Sequence, residues 1–133
     1  MNTDNFSLVL DTSAWIAYFQ SEKSGIQIEE MLQTRRCFTP TTVIAELSDF
    51  FARKKRTGFS DALAFIQKKT GIAELDTVIA QNAGIIKNNV RERFKNNFSL
   101  IDASILATAL ELNAKVVTGD SHFKKLPGTI FLE

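Results

Sequence analysis

Hydrophobic and polar positions alternate along the chain in blocks short enough to read element by element. Phe6-Ser7-Leu8-Val9-Leu10 is an apolar run without a helical stripe, which predicts a strand buried on both faces. Asp11-Thr12-Ser13 then precede the aromatic-rich stretch Ala14 to Phe19, predicted as a helix. A second helix follows over Ser24 to Thr34, with Ile26, Ile28, Met31 and Leu32 as its apolar residues. Arg36 to Thr39 reads as a brief strand closed by Pro40, a residue suited to a helix start. In the next helix, Thr41 to about Lys55, the period of about 100° per residue gathers Val43, Ile44, Leu47, Phe50 and Phe51 on one face. Glu46 falls at the margin of that face and Asp49 points nearly opposite, toward solvent. Thr57 and Gly58 break the helix, and Ser60-Asp61 begin another that runs to Lys69. Gly71 to Leu75 is predicted as a strand, and Asp76-Thr77 cap a long helix from Val78 to about Arg93. Arg91, Arg93, Lys95 and the asparagine pairs 88–89 and 96–97 form a polar, basic link into the last third. Between Leu100 and Leu112 nearly every position is apolar or small, so that helix is predicted to be buried on most sides. Ala114 to Thr118 and Thr129 to Leu132 are predicted strands, with a short helix between them.

This alternation of strands and helices implies an α/β fold with a mostly parallel sheet of about five strands and helices on both faces. At 133 residues and 44% hydrophobic composition, one domain spanning residues 1–133 with a real core is expected. No repeat or low-complexity segment divides it. There is no apolar run of transmembrane length and no N-terminal export pattern, so a cytoplasmic protein is expected. Cys37 is the only cysteine, which excludes an intrachain disulfide and any zinc cluster built on paired cysteines.

The net charge of +1 hides an uneven distribution, with ten Lys or Arg against four Asp or Glu between Phe51 and Phe98, and six against eleven elsewhere. A basic middle and acidic ends suit a phosphate-bearing polymer better than a small neutral substrate. Taken alone, Arg53-Lys54-Lys55-Arg56 and Lys87 to Lys95 read first as solvated helix ends, so the basic belt only supports that reading.

The acidic residues carry the candidate chemistry. Asp11 and Asp120 follow predicted strands, and Asp102 and Glu46 lie near the starts of predicted helices. In open α/β sheets these positions share the carboxyl edge, where ligands bind. Capping explains some of them singly. Asp11, Thr12 and Ser13 are all good caps, although one helix end does not need three, and Ser99 to Asp102 has capping-box spacing. Asp76 is fully explained as a cap. Capping does not explain Asp120 after Thr118-Gly119, nor the apolar setting of Asp102. Four carboxylates facing one volume would repel one another and take up protons unless a cation joined them. Oxygen-only ligands favour a hard ion, Mg2+ or Mn2+.

These residues resemble the PIN-domain ribonucleases and, within them, the VapC-type toxins. The resemblance rests on Leu8-Val9-Leu10-Asp11-Thr12-Ser13, Val43-Ile44-Ala45-Glu46-Leu47, Leu100-Ile101-Asp102-Ala103 with its Ala-rich helix, and Thr118-Gly119-Asp120-Ser121-His122-Phe123, in family order across nearly the whole chain. It implies a three-layer α/β/α sandwich with Asp11, Glu46, Asp102 and Asp120 as the acidic quartet and Ser13 and Thr118 as hydroxyl-bearing site residues. The activity implied is metal-dependent hydrolysis of RNA by a toxin that a cognate antitoxin restrains. Asp11 and Asp102 are then the principal ligands, Asp120 a second-metal or water-mediated ligand, and Glu46 a ligand or the base that orients the water. Single-stranded RNA is the expected form, because side chains reach splayed bases more readily than paired ones. Lys54, Arg56, Arg91 and Arg93 are candidate backbone contacts. The crowding of Trp15, Tyr18 and Phe19 suggests a homodimer face.

Other classes fit less well. His122 is the sole histidine and, beside Phe123, is read as a surface or packing residue outside the catalytic set. The hydroxyl residues lack the glycine elbow of an acyl-transfer enzyme, and there is no glycine-rich phosphate loop. A phosphoacceptor signalling domain would need an acidic neighbour for Asp11 and a lysine after Val116-Val117. A non-catalytic binding module on the same fold would be expected to lack one or more of the four acids.

Overall fold

The computed structural model describes residues 6–95 and 98–133; Asn96 and Asn97 of the basic link lie outside the described residues. Five strands, β1 (Ser7–Leu10), β2 (Cys37–Pro40), β3 (Gly71–Ala73), β4 (Ala114–Thr118) and β5 (Thr129–Phe131), form a sheet in the order β3-β2-β1-β4-β5. Every pairing is parallel, so the sheet is wholly rather than mostly parallel. β1 is central, and Leu8, Val9 and Leu10 are all buried, as a strand covered on both faces requires. The chain steps outward from β1 to β2 and β3, then returns to the other side of β1 for β4 and β5. The reversal between β1 and β4 is the topological switch point, where an open α/β sheet leaves a crevice beyond its strand ends. Register pairs Leu10 with Val117, so the residues that follow, Asp11 and Thr118, emerge side by side.

Among the described residues six α-helices cover the sheet: α1 (Thr12–Phe19), α2 (Gly25–Thr34), α3 (Thr41–Arg53), α4 (Phe59–Lys69), α5 (Thr77–Phe94) and α6 (Leu100–Glu111). Gly58 starts α4 at φ 89°, a left-handed conformation that disfavours other residues, and so sets the break between α3 and α4. α6 is buried continuously from Ala103 to Ala109, as its composition predicts, but Leu100, Ile101 and Leu110 at its ends are exposed. Asp76 accepts from the Ile79 amide at 2.9 Å, the cap expected of it. None of the helices among the described residues is long and apolar enough to cross a membrane.

The expectation of a dimer face through Trp15 needs correction. Trp15 is fully buried, stacks on Phe19 with ring centroids 5.5 Å apart, and donates from Nε1 to Thr39 Oγ1 at 3.2 Å. Tyr18 stacks on Phe65 of α4 at 5.4 Å. The aromatic crowding of α1 therefore packs the helix onto its own chain, with Tyr18 and Phe19 only partly buried.

Candidate metal centre

Three adjacent residues at the β1–α1 junction divide the work that a single cap would do. Asp11 is 3% exposed; its Oδ1 accepts from the Thr12 amide at 2.6 Å, and its Oδ2 accepts from Thr118 Oγ1 at 2.6 Å and Ser13 Oγ at 3.3 Å. Thr12 sends its hydroxyl to Glu46 Oε1 of α3 at 2.5 Å. Ser13 Oγ accepts from the Gly119 amide at 2.9 Å and lies 3.2 Å from Thr118 Oγ1, which in turn accepts from the Asp120 amide at 3.0 Å. The hydroxyls thus tie the ends of β1 and β4 together and fix the Asp11 carboxylate between them. Ser13 and Thr118 are the hydroxyl residues expected here; Thr12, bonded to Glu46, is the one the sequence offers only as a cap, and its surplus as a third cap is the available signal.

Asp102 enters from the first turn of α6. Its amide donates to Ser99 Oγ at 3.0 Å and its Oδ2 accepts from the Ser99 amide at 3.3 Å, completing a capping box with Asp in place of the usual Glu or Gln. Capping and membership of the acidic cluster are therefore compatible. Asp120 Oδ1 accepts from the His122 amide at 2.9 Å and so caps the one-turn helix Ser121–Phe123, which corrects the expectation that capping does not explain it.

His122 is a surface residue, one of the two readings given for it, and packing is not its role. Its neighbour Phe123 takes the buried position, while His122 Nδ1 lies 3.8 Å from Asp102 Oδ2 and 3.6 Å from Asp120 Oδ1. Asp102, Asp120 and His122 each bring a potential ligand atom within 4.8 Å of the others. The turn after β4 is what swings His122 back over Asp120, and its position two residues further on was the only trace in the sequence.

Burial raises the pKa of three of the acids. Desolvation pushes the Asp11 carboxyl up to about 6, against the lowering pull of its Thr118 and Thr12 hydrogen bonds, with Asp102 and Glu46 adding repulsion. Glu46 is raised by burial first, then by Asp102 and Asp120, while the Thr12 hydroxyl pulls it down. Asp102 is raised by burial and by Asp120, and lowered by Ser99 and His122. The four carboxylates thus lie within one another's fields, and a divalent cation among them would remove both the repulsion and the desolvation penalty. The oxygen-rich donor set fits a hard ion, with His122 as a nitrogen donor that Mn2+ tolerates well.

The basic candidates are dispersed. Lys54 and Arg56 follow the end of α3, and the Arg56 guanidinium lies 5.9 and 5.6 Å from the Phe50 and Phe51 ring centroids. Arg91 is exposed on α5. Arg93 borders a cleft that also includes His122.

A family model described as the PIN domain matches residues 8–128. Comparison with curated proteins returns no match. Among solved structures, VapBC2 from Rickettsia felis bound to a promoter DNA fragment is similar at TM-score 0.74 and 20% identity, covering 93% of this chain and 96% of that one. VapC20 of Mycobacterium tuberculosis, described as a sarcin-ricin loop cleaving toxin, is similar at TM-score 0.72 and 13% identity, covering 96% and 100%. VapBC-5 of the same organism, a member of the VapBC family of toxin-antitoxin systems, reaches 23% identity at TM-score 0.67, covering 96% and 98%.

Proposed function

The chain belongs to the PIN-domain family, and from that premise we propose that it is a Mg2+- or Mn2+-dependent endoribonuclease that hydrolyses phosphodiester bonds of single-stranded or structured RNA, acting in the cytoplasm as the toxin of a toxin–antitoxin pair. The observation that carries the reading is the convergence of Asp11, Glu46, Asp102 and Asp120 on the switch point of the sheet, with burial and mutual repulsion raising three of them. Such a cluster is costly without a cation, and the caps that Asp11, Asp102 and Asp120 make would be filled as well by neutral side chains.

In this reading Asp11 and Asp102 hold the ion, Asp120 holds a second ion or acts through water, and Glu46 is a ligand or the base that orients the attacking water. When bound, the ion supplies positive charge against the scissile phosphate and lowers the pKa of a coordinated water. The chain's own contribution is preorganisation. Thr118, Ser13 and the Thr12 amide hold Asp11 in place, so little reorganisation is needed as charge develops on the phosphate. The Thr12 hydroxyl aims Glu46, and burial and the neighbouring acids Asp102 and Asp120 make Glu46 a stronger proton acceptor than an ordinary glutamate. The Ser99 cap fixes Asp102 at the helix start.

A cognate antitoxin is the proposed partner, supported by similarity to structures described as VapBC and as a toxin-antitoxin complex. A homodimer through Tyr18 and Phe19, the aromatic residues of α1 that stay only partly buried, is also proposed; sedimentation showing a monomer at every concentration would rule it out.

The test is cleavage of a mixed single-stranded RNA by wild type and Asp11→Asn, each with Mg2+, Mn2+ or chelator. Wild type is expected to cut only with metal, and the variant to lose activity at least about a hundredfold, on the scale of removing one electrostatic stabiliser of a transition state. Equal cutting by both proteins would end the assignment.

A further inference from the structure

The turn after β4 serves two neighbouring surfaces. Asp120 and His122 lie with Asp102 in the acidic cluster. Two residues beyond His122, Lys124 and Lys125 face a cleft of about 540 Å3 whose other wall is the end of α5, with Arg93, Phe94 and Lys95; His122 lines the same cleft. No carboxylate belongs to its lining, and none of these four cations forms an ion pair among the described residues. Arg93 and Lys95 have a local explanation, since cations at a helix C-terminus are favoured by its dipole. Lys124 and Lys125 come from a different segment, so that explanation does not reach them. Four like charges drawn into one hollow repel one another, and a polyanion laid along it would reverse the sign of that interaction. Phe94 adds an apolar surface, with the Arg93 guanidinium 5.7 Å from its ring centroid.

We propose that this cleft holds the sugar–phosphate backbone of single-stranded RNA next to the scissile phosphate, so that the strand runs from the acidic cluster past His122 and between Lys124-Lys125 and Arg93-Lys95. The inference rests on the nuclease reading given above. It selects one basic region over the other. Lys54 lies eight residues beyond Glu46, about 12 Å along the helical rise, and Arg56 lies beyond the end of that helix. The cleft instead shares His122 with the cluster itself. Its volume lies in the range of roughly 300–1,000 Å3 typical of ligand sites, enough for a nucleotide rather than a lone ion.

The test compares wild type, the exposed pair Lys124→Ala/Lys125→Ala and the exposed pair Lys54→Ala/Arg56→Ala. Binding of a fluorescein-labelled single-stranded RNA is followed by anisotropy in chelator, over a series of salt concentrations. The cleft pair is expected to bind about tenfold more weakly at low salt, with the slope of log K against log salt reduced by roughly 1.4, as loss of two single-strand phosphate contacts requires. The Lys54/Arg56 pair is expected to stay within about twofold of wild type on the same basis, having no phosphate contact to lose. A cleft pair within twofold of wild type, a larger loss in the Lys54/Arg56 pair, or no binding by wild type would overturn the proposal. Binding through the cleft by a protein that never cuts RNA would defeat the nuclease reading and sustain the cleft. Metal-dependent cutting with KM unchanged in the cleft pair would do the opposite.

Discussion

At the residue scale, the β1–α1 junction shows how three side chains of similar character acquire different tasks. Asp11 meets a strand end, Thr12 meets a helix, and Ser13 reaches back to the neighbouring strand end, because successive residues at the start of a helix point about 100° apart. Thr12 makes the sharpest prediction. Thr12→Val keeps the volume and removes the hydroxyl that holds Glu46, so turnover should fall roughly tenfold, the worth of one hydrogen bond to a charged group. Thr12→Ser should restore most of it. Single-turnover cleavage at saturating RNA would separate this positioning effect from binding, and unchanged turnover in the valine variant would show that Glu46 needs no such hold.

At the element scale, helical phase decides which acid takes part. Glu46 and Asp49 are three residues apart on α3, yet Glu46 bonds across to α1 while Asp49 lies exposed and paired with Arg53 at 3.2 Å. Exposed pairs of this kind contribute little to stability, up to about 1 kcal/mol. Asp49→Asn should therefore leave cleavage within about twofold of wild type and stability within about 0.5 kcal/mol, as for a surface substitution. A loss comparable to that of Asp11→Asn would mean that the active face of α3 is misassigned. α6 shows the same principle from the other side. Its apolar character foretold burial, which holds from Ala103 to Ala109 where α5 and the sheet cover it. The exposed Leu100 and Ile101 are apolar positions at its uncovered amino end.

At the scale of the whole molecule, the acidic cluster couples stability to pH and metal. Asp11 titrates near 6 in the fold against 3.8 for an ordinary Asp. Between those values the folded state binds the extra proton, so stability falls as pH rises through the window, by up to about 3 kcal/mol. The effect is complete above pH 6 and absent below about pH 4. Burial and neighbouring acids raise Glu46 and Asp102 as well, which acts in the same direction. In chelator, the melting temperature should therefore be higher at pH 5 than at pH 7.5. Mn2+ or Mg2+ should recover the difference at pH 7.5 and have little effect at pH 5, and Asp11→Asn should flatten the pH dependence. Thermal unfolding in the four conditions checks this; a melting temperature that rises from pH 5 to 7.5 in chelator would contradict the burial of a charged cluster.

Much of this was already determined by the sequence. Strands and helices follow from local periodicity, and the acids follow from their places at the ends of those elements, because both depend on residues a few positions apart. The family motifs fall at Asp11, Glu46, Asp102 and Asp120 for the same reason. The tertiary structure alone decided what depends on which segments meet. Trp15 reads as a surface aromatic until α4 and Thr39 close over it. His122 reads as a surface or packing residue until the turn after β4 brings it to Asp102, and Lys124 and Arg93 become one cleft only when the end of α5 lies against that turn. Periodicity specifies which way a side chain points from its own backbone; which distant segment it meets is set by the order β3-β2-β1-β4-β5.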